Sequence, residues 1–220
     1  MMNKLFIICA VVIGFALLIS NSIQPESNRH QLDRMLYEAS GKGDIEKIKQ
    51  LLSDGANIDG VHAPGNMTPL ILASENSIEV VSLLIYHGAN LNGQNHQGKT
   101  ALIKATYAGE FEIVKMLVEN GADVNIKDKF GDGALMSAIF RGNPLIVEYL
   151  VLHGAKPYET NKLGDSSLDV AKRLVAYIET MDESEKHHDH HMDNDHVVVD
   201  KDSALLDRNR IIKFLALNKY

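Results

Sequence analysis

An all-α repeat solenoid of about five helix-turn-helix units, joined by short hairpin loops, is the fold this sequence predicts, and three observations predict it. The dipeptide Gly-Ala returns at Gly55-Ala56, Gly88-Ala89, Gly121-Ala122 and Gly154-Ala155, each time after 33 residues, a period proper to stacked repeats. Other positions fall into the same phase: Gly98, Gly131 and Gly164, then Leu102, Leu135 and Leu168, then Ala105, Ala138 and Ala171. Between the glycines lie two short apolar stripes at helical spacing, and such a helix pair buries its apolar face only by stacking on neighbours.

The clearest unit shows how each part arises. Thr100 is suited to cap a short helix through its hydroxyl, Leu102 and Ala105 lie three apart on one face, and Gly109 suits a left-handed stop. In the second helix Ile113, Val114, Leu117 and Val118 form one apolar face, with Glu112, Lys115 and Glu119 away from it. Gly121 ends that helix, and the polar stretch Asp123 to Gly131 turns the chain back. As a whole, GKTALIKATYAGEFEIVKMLVENGADVN, from Gly98 to Asn125, resembles the ankyrin repeat, G-x-T-P-L-H-x-A-x-x-x-G-x-x-E-I-V-x-x-L-L-x-x-G-A-D-V-N. The resemblance covers Leu32 to Tyr158, with a degraded last unit beyond, and it implies a solenoid that binds protein partners on a concave face of hairpin tips and first helices. The family commonly has a histidine after the leucine, linking neighbours by hydrogen bonds. Here those positions are Ile71, Ile103, Met136 and Asp169, so the stack is expected to rest more on burial.

The chain opens differently. Lys4 precedes an apolar run, Leu5 to Ile19, and Ser20-Asn21-Ser22 supplies small residues for cleavage. The run is shorter than the roughly 20 residues of a membrane span, so residues 1–22 are expected to be a removed export signal, with an N-terminal membrane anchor as the alternative. The only cysteine, Cys9, falls within this run, which leaves the mature chain without a disulfide, a thiol nucleophile or a thiolate ligand. Export to the periplasm, or secretion, is expected, and the bacterial envelope is inferred by analogy with the family.

Residues 23–31 form a polar lead-in. The first unit, 32–59, lacks a hairpin and begins with a helix from Leu32 to Ser40; Arg34, Glu38 and Lys42 suit the solvent side of a cap. The second, 60–92, holds TPLILA, with Pro69 in the first helical turn where no N–H is needed. It gains a residue within Ala63 to Met67 and loses one after Ala73, where Asn76-Ser77 replaces the usual glycine turn, asparagine being tolerant of the left-handed region. The third and fourth units span 93–125 and 126–158, with Pro144 opening the last helix of the fourth. The fifth, 159–217, has helices at Leu168 to Tyr177 and Ala204 to Leu217 around an acidic, histidine-rich insert, 182–202.

A net charge of −7 without a basic stripe argues against nucleic acid and anionic membrane surfaces as partners. No phosphate loop, nucleophile elbow or His-Glu-x-x-His motif occurs, so no enzyme and no cofactor are expected. The insert carries His187, His188, His190, His191 and His196 among aspartates, a donor set suited to zinc, nickel or copper, although the spacing is irregular and a solvated acidic loop is the alternative. By the resemblance, the concave face presents Glu75, His96, Tyr107, Lys127, Lys129, Phe130, Phe140, Arg141 and Arg173, with Gln94, Gln97, Lys99, Asp132, Thr160, Lys162 and Leu163 around them. Tyr107 and Phe140 lie one repeat apart at a position the core does not need. Aromatics beside arginine are common hot-spot material, and packing of these rings onto neighbouring hairpins is the alternative. A monomer holding one protein partner, for instance an exported enzyme or toxin, is the expected state.

Overall fold

The computed structural model describes residues 28–61, 65–180 and 201–218. The export signal, most of the His-rich insert and part of the added turn before Met67 lie outside these residues.

Ten helices pair into five units among the described residues: α1 (28–42) with α2 (Ile45–Ser53), α3 (Pro69–Ala73) with α4 (Ile78–Tyr86), α5 (Ala101–Ala108) with α6 (Phe111–Glu119), α7 (Ala134–Arg141) with α8 (Pro144–Leu152), and α9 (Ser167–Thr180) with α10 (Lys201–Leu217). They contain no β-strand; Thr160 and Ser166 form an isolated bridge. The protein is an all-α solenoid.

Capping chemistry starts the helices where the residues allow it. Thr68 and Thr100 hydroxyls accept the N–H of Ile71 and Ile103, at 3.2 and 3.3 Å, and Asp44 and Asn143 do the same for α2 and α8. Gly133 stands at the threonine position of the fourth unit and provides no side-chain cap. Gly109 and Gly142 end α5 and α7 with positive φ.

First helices stack on first helices and second on second, giving two layers. Ala101, Ala105, Ala134, Ala138 and Ala171 are buried where the first helices meet, and these small residues let that layer pack more closely than the second. The first helices and hairpins make up one side of the stack, its inner side. One continuous core runs between the layers, through Leu36, Ile48, Leu70, Leu84, Leu102, Leu117, Ile139, Leu150, Ile211 and Leu215.

Ile71, Ile103 and Met136 are buried, as expected of the positions that lack histidine. Burial is not the sole link, however, because polar bonds join successive units at the bases of the hairpins. Asp59 accepts the N–H of Asn90, Asn92 that of Asp123 and Asn125 that of Lys156, at 2.9 to 3.2 Å, and within the first unit Asp33 accepts that of Asn57 at 2.6 Å. These bonds lie away from the positions that lack histidine and add to the burial there.

Three local expectations also differ. α1 starts at 28, inside the stretch read as a lead-in, because no proline or glycine separates residues 28–31 from the apolar stripe of Leu32, Met35, Leu36 and Ala39. Asn76 is not left-handed; α3 ends at Ala73, whose carbonyl accepts the N–H groups of both Asn76 and Ser77. The asparagine with positive φ is Asn66, at 53°, beside Gly65 at 103°, where the unit holds its extra residue. Both helices of the fifth unit extend beyond the expected bounds. α10 packs on α9 and α8, tied by the Tyr158 hydroxyl donating to the Leu215 carbonyl and by Arg210 forked onto Glu148 at 2.9 and 3.1 Å.

Candidate protein-binding face

The hairpin tips are built by one Asx residue each. Asn95 Oδ1 accepts the N–H of Gln97 and Lys99, Asp128 Oδ1 that of Phe130 and Asp132, and Asn161 Oδ1 that of Leu163 and Asp165, all between 2.8 and 3.1 Å. Backbone bonds then join successive tips: His96 N–H to the Gly65 carbonyl, Lys129 N–H to Gln97, and Lys162 N–H to Phe130, at 2.8 to 3.0 Å. A Cβ on Gly98 or Gly131 would stand 2.9 Å from the amide nitrogen of Lys129 or Lys162, so these glycines permit the close approach. Gln97, Phe130 and Leu163 occupy equivalent tip positions, with Phe130 55% and Leu163 83% exposed. The Lys129 ammonium lies 4.9 Å from the centre of the Phe130 ring.

Deeper on the same side, Tyr107 is half-buried between two cations. Lys99 Nζ is 5.6 Å and Arg141 Cζ 5.2 Å from its ring centre, so Tyr107 joins the hairpin of its own unit to the first helix of the next. Phe140 remains 45% exposed, and its carbonyl accepts a hydrogen bond from Arg208 of α10 at 3.3 Å. The two rings expected to match therefore differ: Tyr107 is packed between cations and Phe140 is open.

Several candidate residues are engaged within the stack. Glu75 pairs with Lys104 of the next unit at 2.5 Å. Lys127 reaches Glu159 at 2.9 Å and the Thr160 carbonyl at 3.2 Å, and Lys156 holds the other oxygen of Glu159. Hydrogen bonds from Lys127, then Lys156, hold the Glu159 carboxyl below its ordinary pKa. Arg173 is paired with Asp165, which favours the charged guanidinium further. His96 is exposed at its tip.

Sequence reasoning passed over the inter-unit partners Lys104 and Glu159, and the Asx residues that shape the tips. Asn95, Asp128 and Asn161 recur every 33 residues, which is the signal that marks the latter. It also passed over the outer side, where Ile45, Ile78, Leu83, Tyr86 and Met116 line an open groove of about 620 Å³ and Tyr86 is 84% exposed. Among the described residues no group of three or more His, Cys, Asp or Glu side chains could hold a metal ion. His187, His188, His190, His191 and His196 lie outside those residues. No described helix is long and apolar enough to cross a membrane.

A two-layer stack of helix pairs, with bonded hairpins and a face of aromatics and cations, defines the chain as a helical-repeat interaction module. Two family models, described as ankyrin repeats (3 copies) and ankyrin repeats (many copies), match residues 35–128 and 107–151, together more than half of the chain. The chain belongs to the ankyrin repeat family, whose repeats mediate protein–protein binding. No curated protein matches it.

Proposed function

We propose that this protein is a non-enzymatic module of the cell envelope that holds one protein partner on its inner, hairpin and first-helix face. The carrying observation is the run of exposed Phe130, Leu163 and Phe140 beside the Tyr107–Arg141 contact. Aromatics and arginine presented on a rigid scaffold supply large contact area at little ordering cost. Export rests on the apolar run Leu5 to Ile19, and an exported enzyme or toxin is the partner class such a module would neutralise or escort. The test is affinity capture from envelope extracts with the mature protein and with a Tyr107→Ala, Phe130→Ala, Phe140→Ala variant. Loss of one captured protein in the variant supports the face, and unchanged capture removes it.

A second reading, metal capture by the insert 182–202, is favoured by five histidines within ten residues, a density that packing does not require. Zinc, nickel or copper would bind neutral imidazoles, so uptake would weaken as pH falls through about 6.5. Titrating these ions into the chain, and into a version with 183–196 replaced by a Gly/Ser linker, tests it; equal uptake by both removes the reading.

A further inference from the structure

The inner face carries a charge that the overall composition hides. The chain is net acidic, yet Lys129 and Lys162 adjoin the exposed apolar tips Phe130 and Leu163 in the chain, Lys99 and Arg141 flank Tyr107 below them, and no carboxylate among the described residues forms an ion pair with any of the four. The nearby acids are already engaged. Asp128 accepts two N–H groups of its own hairpin, Asp132 accepts from Asn161 at 2.9 Å, and Asp165 is paired with Arg173. Glu159 is held by two lysines. Three of the four cations lie against aromatic faces, Lys99 and Arg141 over Tyr107 and Lys129 over Phe130. Those contacts leave the charges unneutralised while holding them beside apolar surface.

From this juxtaposition, and resting on the protein-binding function proposed above, we infer that the partner presents an acidic segment with apolar side chains to the tips and first helices of the third to fifth units. Phe130 at 55% and Leu163 at 83% exposure would cover the partner's apolar groups, and Lys99, Lys129, Arg141 and Lys162 would meet its carboxylates. Carboxylates suit these cations because the guanidinium and ammonium groups have no ion pair to break before meeting them. Only a handful of cations alternate here with hydrophobic tips, which fits a peptide carrying both kinds of group better than a uniform phosphate backbone, which needs a continuous basic stripe.

The probe is a library of random dodecapeptides panned on the full chain at low salt, followed by binding of the selected peptides to two variants. One is Lys129→Glu, Lys162→Glu; the other is Phe130→Ala, Phe140→Ala. Circular dichroism checks that each remains helical. Selection of peptides rich in Asp and Glu with Leu, Phe or Tyr is expected, with roughly tenfold weaker binding to the charge-reversed variant and weaker binding to the alanine variant. Peptides without net acidity that nonetheless lose affinity for the alanine variant would overturn the acidic chemistry and leave the binding face standing. Peptides indifferent to both variants would overturn the face itself. A single-stranded oligonucleotide that binds the chain as tightly as the peptides, and loses binding on charge reversal, would overturn the inference in favour of nucleic acid.

Discussion

The side-chain carbonyl of Asn92 accepts the backbone N–H of Asp123 at 2.9 Å, across 31 residues of chain. It is one step of a series that couples the first four units in turn, from Asp59 through Asn92 to Asn125. Asn92→Ala is expected to cost about 1 kcal/mol of stability in urea unfolding. Asn92→Asp keeps an acceptor, as Asp59 does naturally, and is expected to cost less; equal losses would show that the bond contributes nothing.

The positive-φ glycines separate into two classes. Gly121 has φ 95° with open space where a Cβ would stand, whereas Gly131 has φ 83° and the amide nitrogen of Lys162 at 2.9 Å from that point. Gly121→Ala should therefore cost only the left-handed penalty, about 1–2 kcal/mol. Gly131→Ala should cost more, because the neighbouring hairpin must also move. Thermal unfolding of the two variants compares them directly.

Ser166 and Asp169 cap α9 reciprocally. Asp169 accepts from the Ser166 hydroxyl at 2.6 Å and its N–H at 3.1 Å, while the Ser166 oxygen accepts the Asp169 N–H at 3.2 Å. These bonds from Ser166 hold the Asp169 carboxyl below its ordinary pKa. Because the folded value is the lower one, the stabilisation is complete above the unfolded value, about 3.9, and is lost as pH falls through the folded value. The difference in melting temperature between the native chain and Asp169→Asn should thus be present at neutral pH and shrink in acid. A difference independent of pH would assign the effect to something other than ionisation.

Tyr149 packs edge-on against Phe111, with ring centres 5.5 Å apart, and lies 4.0 Å from the His153 ring. Its hydroxyl is buried with no hydrogen-bond partner, and that desolvation raises its pKa, with the charge of Glu119 adding to it. Removing an unsatisfied buried hydroxyl relieves a desolvation cost, so Tyr149→Phe should stabilise the fold by about 1 kcal/mol. Tyr149→Ala, which also removes the ring contacts, should destabilise it by about 2–3 kcal/mol. A clear loss of stability in the phenylalanine variant would reveal a partner for the hydroxyl.

The periodic glycines, threonine caps and apolar stripes made the solenoid legible, because each repeats a local requirement at fixed spacing. Less legible were requirements met between units. Lys104 with Glu75, Glu159 with Lys127 and Arg141 with Tyr107 lie on different elements, so no periodicity within one helix marks them as partners. For that reason Glu75 and Lys127 looked like free binding groups although each is paired with a residue of the next unit. The left-handed asparagine was misplaced because a shift of one residue in a turn leaves the glycine period intact, and only backbone geometry separates Asn66 from Asn76.

The Asx series ends at Asn125, since the next equivalent residue is Tyr158. Beyond it, several side-chain links to and within the fifth unit are charge pairs: Lys127 with Glu159, Arg173 with Asp165 and Arg210 with Glu148. Carboxamide-to-amide bonds are nearly indifferent to ionic strength, whereas exposed ion pairs are screened over about 8 Å at physiological salt. The middle of the molecule, joined through Asn92 and Asn125, and its C-terminal unit consequently respond to different solvents, and brine should loosen that unit from a stack whose middle stays closed, giving the protein a salt-graded rigidity.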